Sequence, residues 1–192
     1  MNPQTSANSP RLAGTVPDDS GCSLLRMAVG TADMAVHIDD VREILEVGRL
    51  TALPRTPEFV RGVMNLRGAV VPVIDLAARL GQPAITIGRR SCVVVVEAGL
   101  PALDDSALDS AGDDEPEGHG SLVVGLLVDA VFEVFDTPAG AMEAVPQLGT
   151  SIDASYLRGM ARTRGEVIGV LALDRVLAQQ ELTGLIAEHR AH

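Results

Sequence analysis

Lysine is absent: all 15 basic residues of the 192-residue chain are arginine. That excludes a phosphate-binding P-loop lysine and a Schiff-base lysine. Tryptophan is absent too, and the aromatic residues are three Phe and one Tyr. The core must therefore be aliphatic, and the stacking platforms of single-strand nucleic-acid binders are missing. A net charge of −11 repels nucleic acid and anionic lipid. The two cysteines, Cys22 and Cys92, form no CxxC or Cys/His cluster and read as reduced thiols of a cytosolic protein. None of His37, His119, His189 and His192 has a partner at metal-ligand spacing. GxSxG, HExxH and GxGxxG are all missing. Neither an enzyme nor a metal or cofactor site is expected. Residues 1–20 lack the apolar stretch of a signal peptide. The longest apolar run, Leu122 to Phe135, is broken by Asp129 and Glu133, so no membrane span is expected. These features suit a cytoplasmic protein.

What is present is valine-rich and strand-like. Leu24–Val29 is a short apolar run, Gly30–Asp33 a turn, and Met34, Val36 and Ile38 alternate as in a strand. Asp39 is placed to cap a short helix through Leu45. Thr56-Pro57-Glu58 has the form of a helix start, with Phe59, Val60, Val63 and Met64 on that helix. Val70–Leu76 reads as a strand, at an edge or bulge because of Pro72. Asp75 caps a turn that Gly81 ends. Val93–Val96 starts a further strand set, Leu122–Val128 and Val167–Leu173 read as buried strands, and Asp174 is placed to cap a final helix through about Ala187. Residues 1–22 read as a disordered tail. Residues 101–120, with seven acids and no Arg, read as a disordered acidic loop.

The chain also repeats itself. A shift of 97 residues lays Phe59-Val60-Arg61-Gly62-Val63 on Tyr156-Leu157-Arg158-Gly159-Met160, Arg67-Gly68 on Arg164-Gly165, and Val70, Val71 and Val73 on Val167, Ile168 and Val170. A shift of 90 lays Ile38-Asp39 on Val128-Asp129 and Val41, Glu43 and Ile44 on Val131, Glu133 and Val134. The first strands correspond at a shift of about 68. The block order is the same in both halves, which marks a duplication. The acidic stretch replaces the tight Gly30–Asp33 turn, where an insertion costs little closure free energy. Short strands with frequent Gly turns imply two small barrels side by side.

The informative polar residues are Glu43, Asn65, Arg67, Asp75 and Asp129. Arg67 is either a structural salt bridge to Glu43 or a docking residue, since the guanidinium fork is favoured in interface cores. Asp39, Asp75 and Asp129 read as caps. Gly62 and Gly68 serve turns or the close approach of a backbone.

The run from Thr56 to Leu76, with Arg61-Gly62-Val63-Met64-Asn65-Leu66-Arg67-Gly68 at its centre, resembles the signature of the CheW family of chemotaxis coupling proteins. Val41-Arg42-Glu43-Ile44, Val124–Val131 and Tyr156-Leu157-Arg158-Gly159 are similar to three further family segments. The resemblance covers about residues 23–180. It implies two five-stranded, SH3-like β-barrels around a shared hydrophobic seam, with short helices and a C-terminal helix over 174–192. The first unit would span about 23–90 and the second about 91–175, with strands free to exchange. It implies a non-catalytic adaptor between chemoreceptor tips and the regulatory domain of a CheA-type histidine kinase, or the same scaffold in a pathway for pili, gliding or development. It further implies partner-binding roles for Val41, Glu43, Gly62, Asn65, Arg67 and Gly68, and for Val124, Gly125, Val128 and Asp129 in the second unit. Two departures bear on partner choice: the acidic insertion is atypical, and Arg42 stands where a neutral polar residue is common.

Overall fold

The computed structural model describes residues 21–99, 121–146 and 152–177. Ten strands dominate it. β1 (Cys22–Val29) and β2 (Ala32–His37) form a hairpin, followed by β3 (Val41–Glu46), β4 (Val60–Leu66) and β5 (Ala69–Asp75). β6 (Cys92–Gly99), β7 (Ser121–Val128), β8 (Ala130–Thr137), β9 (Leu157–Thr163) and β10 (Glu166–Leu171) repeat that sequence of elements. The helices α1 (Leu76–Arg79) and α2 (Leu173–Val176) are single turns at matching places.

The strands build two five-stranded sheets, ordered β8-β1-β2-β10-β9 and β3-β6-β7-β5-β4. Replacing each strand by its repeat, five places along, converts one order into the other. The division does not follow the chain. Each sheet takes two strands from one copy and three from the other, so β3 pairs with β6 and β8 with β1. The segment after β3 returns to β4 through a bridge of Thr51 with Val63, and the segment after β8 returns to β9 through Glu143 and Met160. Both sheets contribute to one aliphatic core, including Val36, Leu171 and Val176 from one side and Val93–Val96 and Leu126 from the other, all nearly or fully buried. Valine suits this position, since β6 is covered on both faces.

Four local expectations give way. Beyond a 3-10 turn at Ile38–Asp40, the residues to Leu45 form strand β3. Val41, Glu43 and Leu45 alternate with the exposed Arg42, Ile44 and Glu46, and that period of two wins over the cap at Asp39. No helix follows Thr56-Pro57-Glu58. Only a turn does, with Val60 N–H bonded to the Pro57 carbonyl, and then β4. Val60, Gly62 and Met64 point inward on alternate positions, so the sheet overrides the local helix-start signal. Pro72 lies on an inner strand, between β4 and β7. Its missing N–H is tolerated because the parallel ladder to β7 begins only at Val73. Of the two helix starts, Asp75 is a cap as expected, accepting from Ala78 N–H at 3.0 Å. Asp174 is not: it lies inside α2, whose cap, Ala172, sits two residues earlier and makes no side-chain cap bond. The final-helix reading beyond Leu177, the tail before Gly21 and the acidic stretch fall outside the described residues.

Arg79 ties the copies together. Its guanidinium lies 4.7 Å from the Phe59 ring and 5.5 Å from the Tyr156 ring, which are repeat counterparts. Its Nε donates to the Val176 carbonyl at 2.7 Å. Stacking of a cation on two rings holds the halves in register at their seam.

Candidate docking surface

The β4–β5 hairpin turns on two residues, Arg67 (φ 51°) and Gly68 (φ 90°). Both left-handed values fit a tight type I′ turn, whose twist matches that of the flanking strands. Asn65 Oδ1 accepts from Gly68 N–H at 2.9 Å and closes the turn. The turn lifts Arg67 into solvent, where its side chain is 80% exposed and donates to Glu43 Oε2 at 3.0 Å. Two aliphatic side chains near it in sequence are exposed, Ile44 on β3 and Val70 on β5. Sequence reasoning left Arg67 between a salt bridge and a docking role. It makes the salt bridge, and its exposure leaves the remaining N–H groups to water or a partner.

The same surface recurs on the other sheet. Arg164 (φ 50°) and Gly165 (φ 84°) form the β9–β10 turn. Arg164 donates to Glu133 at 2.6 Å, and the neighbouring positions in sequence Val134 and Val167 are exposed. These four residues are repeat counterparts of Arg67, Glu43, Ile44 and Val70. They were not nominated from sequence, although the 97- and 90-residue shifts point straight at them. Arg26 was also missed. It lies on β1, only 14% exposed, and contacts Asp33, Glu166 at 2.5 Å and Glu133 at 3.8 Å. Asp33 first, and Glu166 after it, raise its pKa further above the ordinary arginine value against the lowering effect of burial. Arg26 and Arg90 also face the ring of Phe132, at 5.4 and 5.6 Å. An open cleft of about 470 Å³ lies between these residues and Arg164. Nothing in the local sequence marks this hub, because its members are far apart in the chain.

Other nominated residues turn inward. Val124 and Val128 are fully buried, and a Cβ on Gly125 would meet Val93 Cγ1 at 2.6 Å. All three belong to β7, an inner strand, so a direct contact with a partner is corrected to a role in the core. Gly62 (φ 134°) is a close-approach glycine, as one reading held, but the approaching backbone is its own: a Cβ would lie 2.2 Å from the Thr51 carbonyl oxygen. Val41 is half-buried and packs on the core. Asp129 caps no helix. Its Oδ2 accepts from Gly30 N–H at 2.7 Å and pins the β1–β2 turn to the β7–β8 corner.

Among the described residues no group of three or more His, Cys, Asp or Glu is placed to hold a metal ion. No helix there is long and apolar enough to cross a membrane.

A duplicated all-β module with two matching faces of ion-paired arginine and exposed aliphatic side chains is the class that fold and surface define. Comparison with known proteins narrows it. The family model described as CheW-like domain matches residues 23–181. The chain belongs to that family. Chemotaxis protein CheW of Rhizobium meliloti is 31% identical over 163 residues, covering 85% of this chain and 92% of the relative. Protein FrzA of Myxococcus xanthus is 32% identical, covering 78% and 81%. The crystal structure of the scaffolding protein TtCheW from Thermoanaerobacter tengcongensis superposes with a TM-score of 0.65 at 28% identity, over 83% of this chain and 94% of that one.

Proposed function

We propose that this chain is a non-catalytic adaptor that couples chemoreceptors to a CheA-type histidine kinase, held in chemosensory arrays through those partners. The observation that carries the reading is the pair of matching faces at Arg67–Glu43 and Arg164–Glu133, set on a CheW-family fold. Two faces let one molecule hold two partners, and repeated weak contacts in an array gain effective concentration. A small receptor movement then shifts the kinase between states through contacts that differ in the two. On this reading Glu43, Asn65, Arg67 and Gly68 form the first docking face. Val41, Gly62, Val124 and Gly125 support it by fixing the strands on which it stands, while Val128 and Asp129 lie at the far end of β7, where Asp129 holds the β1–β2 turn of the other sheet.

Arg67→Glu tests the reading. An exposed ion pair contributes little to stability, so the thermal midpoint should move by no more than a few degrees. Co-sedimentation of receptor, kinase and adaptor should fall about tenfold, the effect of about 1.4 kcal/mol at an interface. Intact co-sedimentation, or a variant that no longer folds, would remove Arg67 from the docking face.

A further inference from the structure

The two docking faces differ at the residue before the shared glutamate. Phe132 precedes Glu133 where Arg42 precedes Glu43, at the same 90-residue shift. Both side chains stand on the exposed side of their strands, β8 and β3. Arg42 pairs with Glu97 at 2.5 Å, so its charge is met within the protein. Phe132 is 45% exposed and forms part of the wall of the open cleft of about 470 Å³, together with Arg26, Arg90, Val131, Glu133 and Arg164.

Three of those six wall residues are arginine and one is acidic, in a chain whose net charge is −11. Two of the arginines are already engaged. Arg26 contacts Asp33, Glu133 and Glu166, and Arg164 donates to Glu133 at 2.6 Å. Arg90 differs: among the described residues no carboxylate lies within ion-pair distance of it, although its guanidinium stands 5.6 Å from the Phe132 ring centroid. The loop that carries it is closed by its neighbours. Gly88 N–H donates to Ser91 Oγ at 2.9 Å, Ser91 N–H donates to the Gly88 carbonyl at 3.2 Å, and Ser91 is buried. Arg26 stands over the same ring, at 5.4 Å. Two like charges over one ring repel each other, and attraction to the ring leaves the N–H groups of Arg90 unbonded. The cleft thus holds a positioned cation, with donors that no described group uses, beside a half-exposed ring.

We propose that this cleft is where the Arg164 face takes an acidic partner: a protein segment that presents Asp or Glu next to an aliphatic side chain. The carboxylate accepts from Arg90, whose planar fork matches its two oxygens. The aliphatic group covers the Phe132 ring, which removes apolar surface from water and strengthens the ion pair by lowering the dielectric around it. Glu133 offers the incoming acid little repulsion, because Arg164 and Arg26 already hold it. A cationic segment meets three guanidinium groups here and is turned away. The first face has Arg42, engaged with Glu97, in place of the ring. The two faces therefore prefer different partners although they share the Arg–Gly turn and its glutamate. The proposal rests on the Arg164 face being a docking face, as put forward above.

Two synthetic amphipathic peptides test it without receptor or kinase. Both carry one leucine stripe, flanked by Glu in one and by Gln in the other. Each is titrated into the full chain in low salt, with the backbone amides followed by NMR. The Glu peptide should bind about tenfold more tightly, the scale of one charge-assisted contact, and shift the amides of Arg90, Phe132 and Gly165. Arg90→Gln, at an exposed site, should keep the parent's amide spectrum elsewhere and bring the two peptides within about twofold of each other, and ~1 M salt should do the same by screening. Phe132→Ser should weaken both peptides alike. Equal affinities in the parent chain, a preference that survives Arg90→Gln, or shifts centred on Ile44 and Val70 would each overturn the proposal. So would citrate at an equal carboxylate concentration giving the same shifts, because the cleft would then hold any small anion. Co-sedimentation with receptor and kinase separates this proposal from the docking reading. Should Arg164→Glu leave that assembly intact while the Glu peptide keeps its preference in the parent chain, the docking reading fails for this face and the acidic-segment site stands. Should the same variant abolish assembly while the two peptides bind the parent alike, the docking reading stands and the acidic-segment site fails.

Discussion

Gly62 and Gly159 occupy the same place in the two sheets and are constrained differently. A Cβ on Gly62 meets backbone, the Thr51 carbonyl oxygen at 2.2 Å, from a left-handed φ of 134°. A Cβ on Gly159 chiefly meets the Met142 side chain, at 2.7 Å to Cγ, with the Glu143 carbonyl oxygen at 3.1 Å. Backbone cannot yield, whereas a methionine can change rotamer. One duplicated framework therefore has a rigid copy and a tolerant copy of the same joint. The tolerance lies in the neighbour that covers the glycine and in the backbone itself, which is left-handed at Gly62 and not at Gly159.

The largest effect should break that comparison open. Gly62→Ala should cost about 3 kcal/mol or more, from backbone strain plus a clash that moves the Thr51 bridge, and Gly159→Ala only ~1 kcal/mol. Denaturant midpoints would measure both, and equal losses would refute the rigid-versus-tolerant distinction. Next come the arginines. Arg26→Ala leaves Asp33, Glu133 and Glu166 without their shared cation, and about 1–2 kcal/mol should be lost. Arg67→Ala, at a highly exposed site, should stay within ~0.5 kcal/mol. The smallest effects are pH-dependent and opposite in sign. Burial, the largest influence on Asp40, raises its carboxyl above the ordinary value. The ionised form thus weakens the fold at neutral pH, and acidification through the raised value relieves this. Asp40→Asn should stabilise at pH 7 and match the parent below the ordinary carboxylate range. Asp153 is lowered by the Ser155 backbone N–H, so its support is present at neutral pH and fades on acidification through the lowered value. Asp153→Asn should destabilise at pH 7, with the two melts converging in acid. Melts from pH 2 to pH 7 on both variants would show whether the two curves diverge as described.

The duplication, the mainly β class and the aliphatic core were legible in the sequence because they rest on repeated blocks and period-two patterns. Helix starts at Asp39 and Thr56 misled, since a cap residue signals a helix only where no sheet competes for the following backbone. The Arg67–Glu43 pair could be read from spacing and family resemblance together. Burial of Leu122–Val128 was legible too, as a continuous apolar run, whereas the place of that strand between β6 and β5, away from a docking face, was not. Arg26 was invisible for a similar reason: its carboxylates at positions 133 and 166 come to it only through sheet pairing.

The exchange of strands between copies has a consequence for synthesis. Cys22 finds its neighbour at Thr137, and Met34 lies beside Gly169. A growing polypeptide therefore leaves the ribosome with its first hairpin exposed on both edges until most of the message has been read. Neither half can settle by itself, and the last strands to emerge complete the sheet begun by the first. Such long-range pairing slows folding and leaves bare edges open to wrong partners in the meantime. A transcript truncated after the first copy should yield an aggregating fragment and no half-sized adaptor.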